Sequence, residues 1–391
     1  MDPKTNFQAD EHQRRSANYK PNIWKDGFLE SLNNKYIGDD YTRQSKNLIE
    51  DVKKMFVETE DLIAQLELID RIGKLGLTNY FEKEIKEALD TIENSNTCVT
   101  ENLYATALHF KILRQHGYKV SQDVFGGFMD EEGALKESNY WDVKGMLELL
   151  EASNLAFEGE RILDEAKASA TVALRGSNVW NLDNNLARQV VHALELSSHR
   201  RVGWFNVKGH IHAYEKDNHA NTISLLELAK LNFNMVQAAL QKDLREVSMW
   251  WNNLGLKEHL KFARDRPVEC FMFAVGLNFH PGYTSFRILL SKVINLILII
   301  DDVYDIYGSL EELKIFTNAV DRWDVGLTEQ LPECMKICFQ VLYNTTCDFA
   351  HEIEEESGWN LALPHLSKAA EQERGDAPSA ILCYMREMNI S

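Results

Sequence analysis

The sequence predicts an all-α protein, and three observations support this fold class. Apolar residues recur at helical spacing in long stretches of the 391-residue chain. Only 7 prolines and 20 glycines interrupt these stretches. No run of alternating β-branched residues is bounded by the dipeptides that form hairpin turns.

Three stretches show the helical pattern most clearly. In FEKEIKEALDTI, the apolar residues Phe81, Ile85 and Leu89 recur every four positions, with acids and lysines between them. NNLARQVVHALEL repeats the pattern with Leu186, Val190 and Leu194. ISLLELAKLNFNMVQAALQKDL continues for about six turns without a glycine or proline. Each stretch predicts an amphipathic helix.

A polar, turn-rich connection divides the helical pattern. It reads SSHRRVGWFNVKGHIHAYEKDNHANT and occupies residues 197–222. We therefore predict two helical domains, at residues 27–219 and 220–391, preceded by an N-terminal arm at residues 1–26. The arm is polar, with isolated aromatic residues and Pro21, which is typical of an extended segment that lies on another surface, or of disorder.

Charge and composition exclude several functional classes. The 42 basic and 60 acidic residues give a formal charge of −18, which disfavours binding to nucleic acid or to anionic membranes. The longest apolar run near the acidic motif described below is five residues, so we predict no membrane span. The acid-containing start MDPKTNFQADEHQ argues against a secretory or transit peptide. The six cysteines lack metal-ligand spacing, so we expect reduced thiols and a cytosolic protein.

The stretch VINLILIIDDVYDIYGSLEEL leads from apolar residues directly into Asp301, Asp302 and Asp305. At about 100° per residue, Asp301 and Asp305 differ by about 40°, and Asp302 lies about 100° from Asp301. The three carboxylates therefore fit within one third of an ideal helix. Ile297 and Ile294 precede them on the same face by one and two turns. The sequence predicts an apolar wall that ends in a carboxylate triplet.

Such a triplet has two interpretations. Like charges repel strongly at low dielectric, and a hard cation such as Mg²⁺ would offset the repulsion while keeping coordination sites for phosphate oxygens. Alternatively, the three acids form a solvated helix end, because a chain with 60 acidic residues contains such a pattern by chance. Both interpretations stay open at this point.

Two pairs of arginines are further candidate binding residues. Arg264 and Arg266 alternate around Asp265, and guanidinium groups are suited to holding phosphate with two hydrogen bonds. The simpler alternative is a salt bridge at a helix end with Asp265 or Glu269. In QRRSANYKPNIW, two arginines lie nine and ten residues before an aromatic residue, and no function follows from this pattern alone.

Together, the three motifs resemble those of plant terpene synthases. Arg14, Arg15 and Trp24 are similar to the RR-x8-W element of that family, the two arginines around Asp265 to its R-x-R element, and the three aspartates to its DDxxD element. The resemblance covers nearly all of the chain. It implies an N-terminal helical, barrel-like domain and a C-terminal class I helical bundle. It is strongest to members that convert farnesyl diphosphate into an acyclic sesquiterpene.

The resemblance implies a role for each motif. Asp301 and Asp305, with Asp302 in support, would ligate Mg²⁺, with Mn²⁺ as an alternative, and the metal would clamp a prenyl diphosphate. Arg264 and Arg266 would lie beside the diphosphate after the allylic C–O bond ionises.

Further residues are assigned in the same way. Phe273, Ile294 and Ile297 would line the cavity that holds the carbocation, although many relatives have Trp in place of Phe273. Arg14 and Arg15 would help the arm to close over the site as a lid, with Trp24 as a packing anchor.

The second metal motif of the family, (N/D)D-x-x-(S/T)-x-x-x-E, departs from the expected pattern. Only its final glutamate is matched, by Glu371, and the helices expected between LPHLSKA and AEQERGD are absent. We therefore expect an internally deleted, incomplete C-terminal domain with little synthase activity. The alternatives are a monoterpene or hemiterpene synthase acting on geranyl or dimethylallyl diphosphate, and a catalytically inert helical protein. In each case we expect a monomer.

Overall fold

The structure, a computed structural model, describes residues 17–94, 102–176, 184–216 and 223–358. Arg14, Arg15 and Glu371 lie outside the described residues. Over the described ranges the chain is helical, with a single isolated β-bridge between Met129 and Leu135. The all-α prediction is confirmed.

Fifteen α-helices form within the described residues. In chain order they are α1 Asp26–Glu30, α2 Asp39–Glu58, α3 Leu62–Lys74, α4 Glu82–Asn94, α5 Leu103–Gln115, α6 Val143–Ser153, α7 Arg161–Gly176, α8 Asn184–Glu195, α9 Gly203–Lys216, α10 Ile223–Asn253, α11 Leu256–His259, α12 Pro267–Leu277, α13 Thr284–Asp302, α14 Leu310–Arg322 and α15 Glu333–Ser357.

The three stretches with the clearest periodicity all form helices. Helix α4 buries Ile85 and Leu89, as its spacing predicts, and the preceding Phe81 is also buried. Helix α8 buries Val190, and α10 extends for 31 residues, longer than the segment that we predicted. Helical spacing therefore identified the core-facing residues of these segments.

The chain forms two compact units. One contains residues 35–237, and the other contains residues 1–34 together with residues 238–391. The division between Gln237 and Ala238 lies inside α10. The domain limits predicted from the sequence, at residues 26/27 and 219/220, stay a prediction.

The unit formed by residues 238–391 and the arm has an aromatic core. Phe316 packs edge-on against Phe339, with ring centroids 6.5 Å apart, and Ile299 and Val303 lie in the same cluster. One side of α13 is thus buried in this core. By length and composition alone, the segment Pro281–Tyr307 could also cross a membrane, but core helices of water-soluble proteins pass the same test. The expectation of no membrane span stays a prediction.

The unit of residues 35–237 contains a buried cluster of charges at the contact of α3, α5 and α6. The Lys111 ammonium group lies 3.0 Å from Asp70 Oδ1 and also donates to Glu148 Oε2, and its side chain is 4% exposed. Burial alone would lower the pKa of Lys111, but the two carboxylates raise it above its ordinary range. Burial would raise the pKa of Asp70, yet Lys111 and Lys74 hold it well below its ordinary range. The cluster is stable only while its charges are paired.

Replacing Lys111 by methionine tests this dependence. The substitution leaves Glu148 buried without an ammonium partner among the described ion pairs and Asp70 with Lys74 alone, and we expect it to lower the free energy of unfolding by about 3–5 kcal/mol. Urea denaturation followed by circular dichroism measures the change. The control is Lys83→Met, because the Lys83–Glu87 pair is on the surface, with side chains 80% and 66% exposed, and we expect a change below about 0.5 kcal/mol. Equal effects of the two substitutions would contradict the role given to Lys111.

Candidate active site

The acidic motif lies where α13 changes its winding. The α-helix ends at Asp302, and Val303–Tyr307 form a π turn, in which the Gly308 amide donates to the Val303 carbonyl at 2.8 Å. A Cβ at Gly308 would lie 2.6 Å from the Leu313 side chain, so only glycine fits this close approach. Because a π turn has more residues per turn than an α-helix, the ideal 100° spacing does not extend to Asp305.

Asp302 points into the protein. Its side chain is fully buried, and Oδ2 accepts a hydrogen bond from the Arg264 backbone amide at 2.7 Å. Oδ1 accepts one from the Tyr19 hydroxyl at 3.0 Å. A buried carboxylate needs such donors to offset its loss of hydration. Asp302 therefore joins α13, the R-x-R segment and the N-terminal arm.

Asp301 and Asp305 are instead exposed to solvent. The structure thus separates Asp302 from Asp301 and Asp305 by exposure, whereas the ideal wheel placed all three within one third of the helix. Over the described residues, no group of three or more His, Cys, Asp or Glu side chains is arranged to hold a metal ion. Two exposed carboxylates do suit Mg²⁺, which typically takes one or two carboxylates and completes its shell with water and substrate phosphate oxygens.

Arg264 faces the aspartates. Its Nη2 donates to Asp301 Oδ2 at 2.7 Å, and its Nε lies 2.9 Å from Asp302 Oδ1, although the angle is not that of a hydrogen bond. Partial burial would lower the pKa of Arg264, but the adjacent carboxylates of Asp302 and Asp301 raise it above its ordinary range. The guanidinium thus stays charged and bridges two carboxylates.

The alternative salt bridges expected from the sequence do not form. Among the described ion pairs, neither arginine of the R-x-R segment contacts the carboxylate of Asp265 or Glu269. Arg266 instead donates to two backbone carbonyls, those of Lys20 and Asp265. Asp265 accepts from the Trp251 indole at 2.8 Å and from the Asn22 amide at 3.2 Å.

The described part of the arm lies on this R-x-R segment. In addition to the contacts of Tyr19, Lys20 and Asn22, Asp26 pairs with Lys257 at 2.8 Å. Trp24 is half-buried and stacks on Phe28, with ring centroids 6.4 Å apart, and it makes no described contact with the aspartates. These positions agree with an arm that packs beside the site.

Exposed apolar side chains lie on α12 and on the turns of α13 that precede the aspartates. Phe273 on α12 is 69% exposed and Ile297 on α13 is 57% exposed, whereas Ile294 is half-buried. Phe286 and Val293, also exposed, lie on the same stripe of α13 as Ile297, because their positions differ by 7 and 4 residues. Several exposed apolar side chains on one face of a helix are typical of a ligand-binding or docking surface.

A buried ion pair fixes α13 at its other end. The Arg287 guanidinium donates to Asp243 Oδ2 at 2.6 and 2.9 Å, and the two side chains are 0% and 2% exposed. Thr284 also donates to Asp243, at 3.1 Å. Since Asp243 belongs to α10, this pair sets the position of α13, which carries the aspartates.

Sequence reasoning missed several of these residues. Tyr19 stands between the arginines of the arm and Trp24, so it lies inside a motif that we had identified. Asp265 was considered only as a salt-bridge partner of Arg264 and Arg266, and its contacts with Trp251 and Asn22 were not predicted. Asp243 and Arg287 are 44 positions apart and show no shared pattern. Only the packing of α10 against α13 brings the last two together.

Comparison with known proteins identifies the family of this chain. Residues 23–194 match the family model "Terpene synthase, N-terminal domain", and residues 252–371 match "Terpene synthase family, metal binding domain". The chain belongs to the terpene synthase family. The resemblance to this family is therefore confirmed, and the N-terminal match precedes the metal-binding match along the chain.

Three relatives place this terpene synthase within the family. It is 56% identical to (E,E)-alpha-farnesene synthase of Malus domestica, over 97% of this chain and 81% of that protein. It is 55% identical to alpha-farnesene synthase of Ricinus communis, over 89% and 62%. The crystal structure of Populus x canescens isoprene synthase with three Mg²⁺ ions and dimethylallyl-S-thiolodiphosphate gives a TM-score of 0.80 at 44% identity, over 89% and 65%.

The alignments also measure missing length. The chain spans less than two thirds of the length of the Ricinus communis enzyme and of isoprene synthase. The alignment with the Malus domestica enzyme runs over 469 positions, and it includes 97% of this chain, or about 379 of its 391 residues. About 90 positions of that alignment therefore have no residue in this chain. This number of unmatched positions agrees with the near absence of the second metal motif.

The arm contacts predict that Tyr19→Phe loosens the arm. Loss of a hydrogen bond to a buried carboxylate should speed hydrogen exchange of residues 17–30 by about tenfold, measured by mass spectrometry. Tyr283→Phe is the control, because the Tyr283 ring is 51% exposed and its hydroxyl has no hydrogen bond among those described. Unchanged exchange in the arm of Tyr19→Phe would show that this hydrogen bond does not hold it.

Proposed function

We propose that this chain derives from a sesquiterpene synthase that ionises farnesyl diphosphate with Mg²⁺ and releases α-farnesene, and that the chain itself binds diphosphate but turns it over poorly. The observation that supports this best is the juxtaposition of Arg264 with Asp301 beside an exposed apolar surface. These are the two environments that a charged diphosphate head and a hydrocarbon tail require.

The proposed chemistry assigns a task to each group. Arg264 and Arg266 would hold the diphosphate, since guanidinium groups can donate two hydrogen bonds to one phosphate group. Asp301 and Asp305 would hold Mg²⁺, which supplies the positive charge that stabilises the departing diphosphate. Phe273 and Ile297 would offer apolar and aromatic surface to the cation left on the hydrocarbon, because an aromatic face attracts positive charge.

The substrate assignment rests on the relatives. The two curated proteins with 56% and 55% identity are both named as α-farnesene synthases, which favours farnesyl diphosphate as the substrate. The alternative is a shorter prenyl diphosphate, geranyl or dimethylallyl, and the similarity to isoprene synthase favours it. Product profiles with each diphosphate, measured on a chain with the missing positions restored, separate the two.

The proposed impairment rests on the missing length. About 90 aligned positions are absent. Of the second metal motif of the family, only the final glutamate has a counterpart in this chain, Glu371. Catalysis by positioning and electrostatic stabilisation depends on a complete set of groups held in a fixed geometry. Half of a metal clamp would therefore retain binding and lose most of the rate. A catalytically inert protein that does not bind diphosphate is the alternative from another class.

Binding and turnover can be measured separately. We expect isothermal titration calorimetry to detect Mg²⁺-dependent binding of inorganic pyrophosphate, and Asp301→Asn to weaken it by at least about tenfold. Asp40→Asn is the control, because Asp40 is 92% exposed on α2. With farnesyl diphosphate and Mg²⁺ we expect at most traces of volatile hydrocarbon.

Two outcomes would contradict the proposal. Turnover near that of a full-length relative would refute the impairment. The absence of any Mg²⁺-dependent binding would refute retained diphosphate recognition and favour the inert alternative.

A further inference from the structure

Asp301 already holds a cation. In the proposed function its carboxylate is a ligand of Mg²⁺, yet Oδ2 accepts a hydrogen bond from Arg264 Nη2 at 2.7 Å. The Asp301 side chain is 51% exposed, so solvent and metal can reach it. The Arg264 guanidinium therefore occupies part of the position that a divalent ion needs.

The contacts of Arg264 divide into fixed and exchangeable ones. Its backbone amide donates to the buried Asp302, its Nε lies 2.9 Å from Oδ1 of the same carboxylate, and its guanidinium lies over the Tyr19 ring at 5.4 Å. None of these contacts involves Asp301. The Nη2 end of the guanidinium can thus leave Asp301 by rotation of the side chain, while the contacts with Asp302 keep the R-x-R segment in place.

We propose that Arg264 is a built-in counter-cation of Asp301, which a divalent metal must displace and which diphosphate draws away. The inference rests on the proposed function, because it takes Asp301 as a metal ligand. It adds that metal and diphosphate bind cooperatively, and that Arg264 weakens metal binding when no diphosphate is present.

Electrostatics gives the direction of this coupling. A carboxylate oxygen paired with a guanidinium must lose that partner before it coordinates a metal, and two cations a few ångströms apart repel each other. Diphosphate offers the guanidinium a partner with more negative charge and two-point geometry. Because coupling between two ligands is reciprocal, diphosphate should tighten metal binding by roughly 5- to 150-fold, the usual range.

Arg266 provides a matched comparison two residues away. It carries the same charge, but its guanidinium donates to the backbone carbonyls of Lys20 and Asp265 and to no carboxylate among the described contacts. Removing its charge alters the local field and leaves the Arg264–Asp301 pair intact. A difference between the two arginine variants therefore reports the direct contact.

The test measures Mn²⁺ binding to the full chain by electron paramagnetic resonance of free Mn²⁺, with and without inorganic pyrophosphate, against protein-free blanks. In the absence of pyrophosphate we expect Arg264→Gln to bind Mn²⁺ about tenfold more tightly than the unchanged chain. We expect Arg266→Gln to stay within about threefold of it. Pyrophosphate should tighten Mn²⁺ binding in the unchanged chain and have a much smaller effect in Arg264→Gln.

Further variants decide between causes. Adding Asp301→Asn to Arg264→Gln should remove the gain, because the released ligand is then absent. Arg264→Lys keeps the charge without the planar fork that reaches two carboxylates, so it should give a smaller gain than Arg264→Gln. Circular dichroism checks folding, and Arg264→Lys carries the test if Arg264→Gln does not fold.

Each contrary outcome has a separate meaning. If Arg264→Gln and Arg266→Gln tighten Mn²⁺ binding equally, or if neither tightens it, Arg264 is not the counter-cation of Asp301. The proposed function is still upheld in that case, provided that Asp301→Asn abolishes Mn²⁺ binding. Mn²⁺ binding that ignores Asp301→Asn in every variant would overturn both.

Discussion

A buried carboxylate at the end of an apolar helix must be given hydrogen-bond donors, and the arrangement of the candidate site follows from how Asp302 obtains them. Its donors come from the Arg264 backbone and the Tyr19 hydroxyl, so one side chain connects three separate stretches of chain. An uncompensated charge in this position would be strongly destabilising. The requirement holds the R-x-R segment and the arm beside α13 even without a ligand.

The same principle recurs in both compact units. Arg287 and Asp243 pair in the unit that carries the aspartates, and Lys111 lies between two carboxylates in the other. A buried ion pair adds little net stability over apolar residues of similar size, but breaking one is costly. Such pairs therefore restrict which helices can pack together, and the Arg287–Asp243 pair determines where the acidic end of α13 lies.

Recognition and reaction make different demands on the chain. Holding a diphosphate needs a guanidinium, accessible carboxylates and a nearby apolar surface, and the described residues contain all three. Ionising it needs a closed cavity and a second set of metal ligands. About 90 positions of the alignment with the Malus domestica enzyme have no residue in this chain. The exposure of Phe273 and Ile297 is what a cavity wall without its opposite side would show. The proposed function assigns recognition to the residues that are present and the loss of turnover to those that are missing.

The sequence by itself determined the all-α class, the core faces of helices such as α4 and α8, and the family through three motifs, because helical periodicity and short motifs are local properties. The tertiary structure alone decided that Asp302 is buried while Asp301 is exposed, because the two residues differ by about 100° around α13 and the packing covers only the side of Asp302. It also decided that Arg264 pairs with α13 and not with Asp265, that Tyr19 reaches Asp302, and that Asp243 meets Arg287. These contacts join residues between 37 and 283 positions apart, so they depend on how helices pack and leave no periodic trace in the sequence.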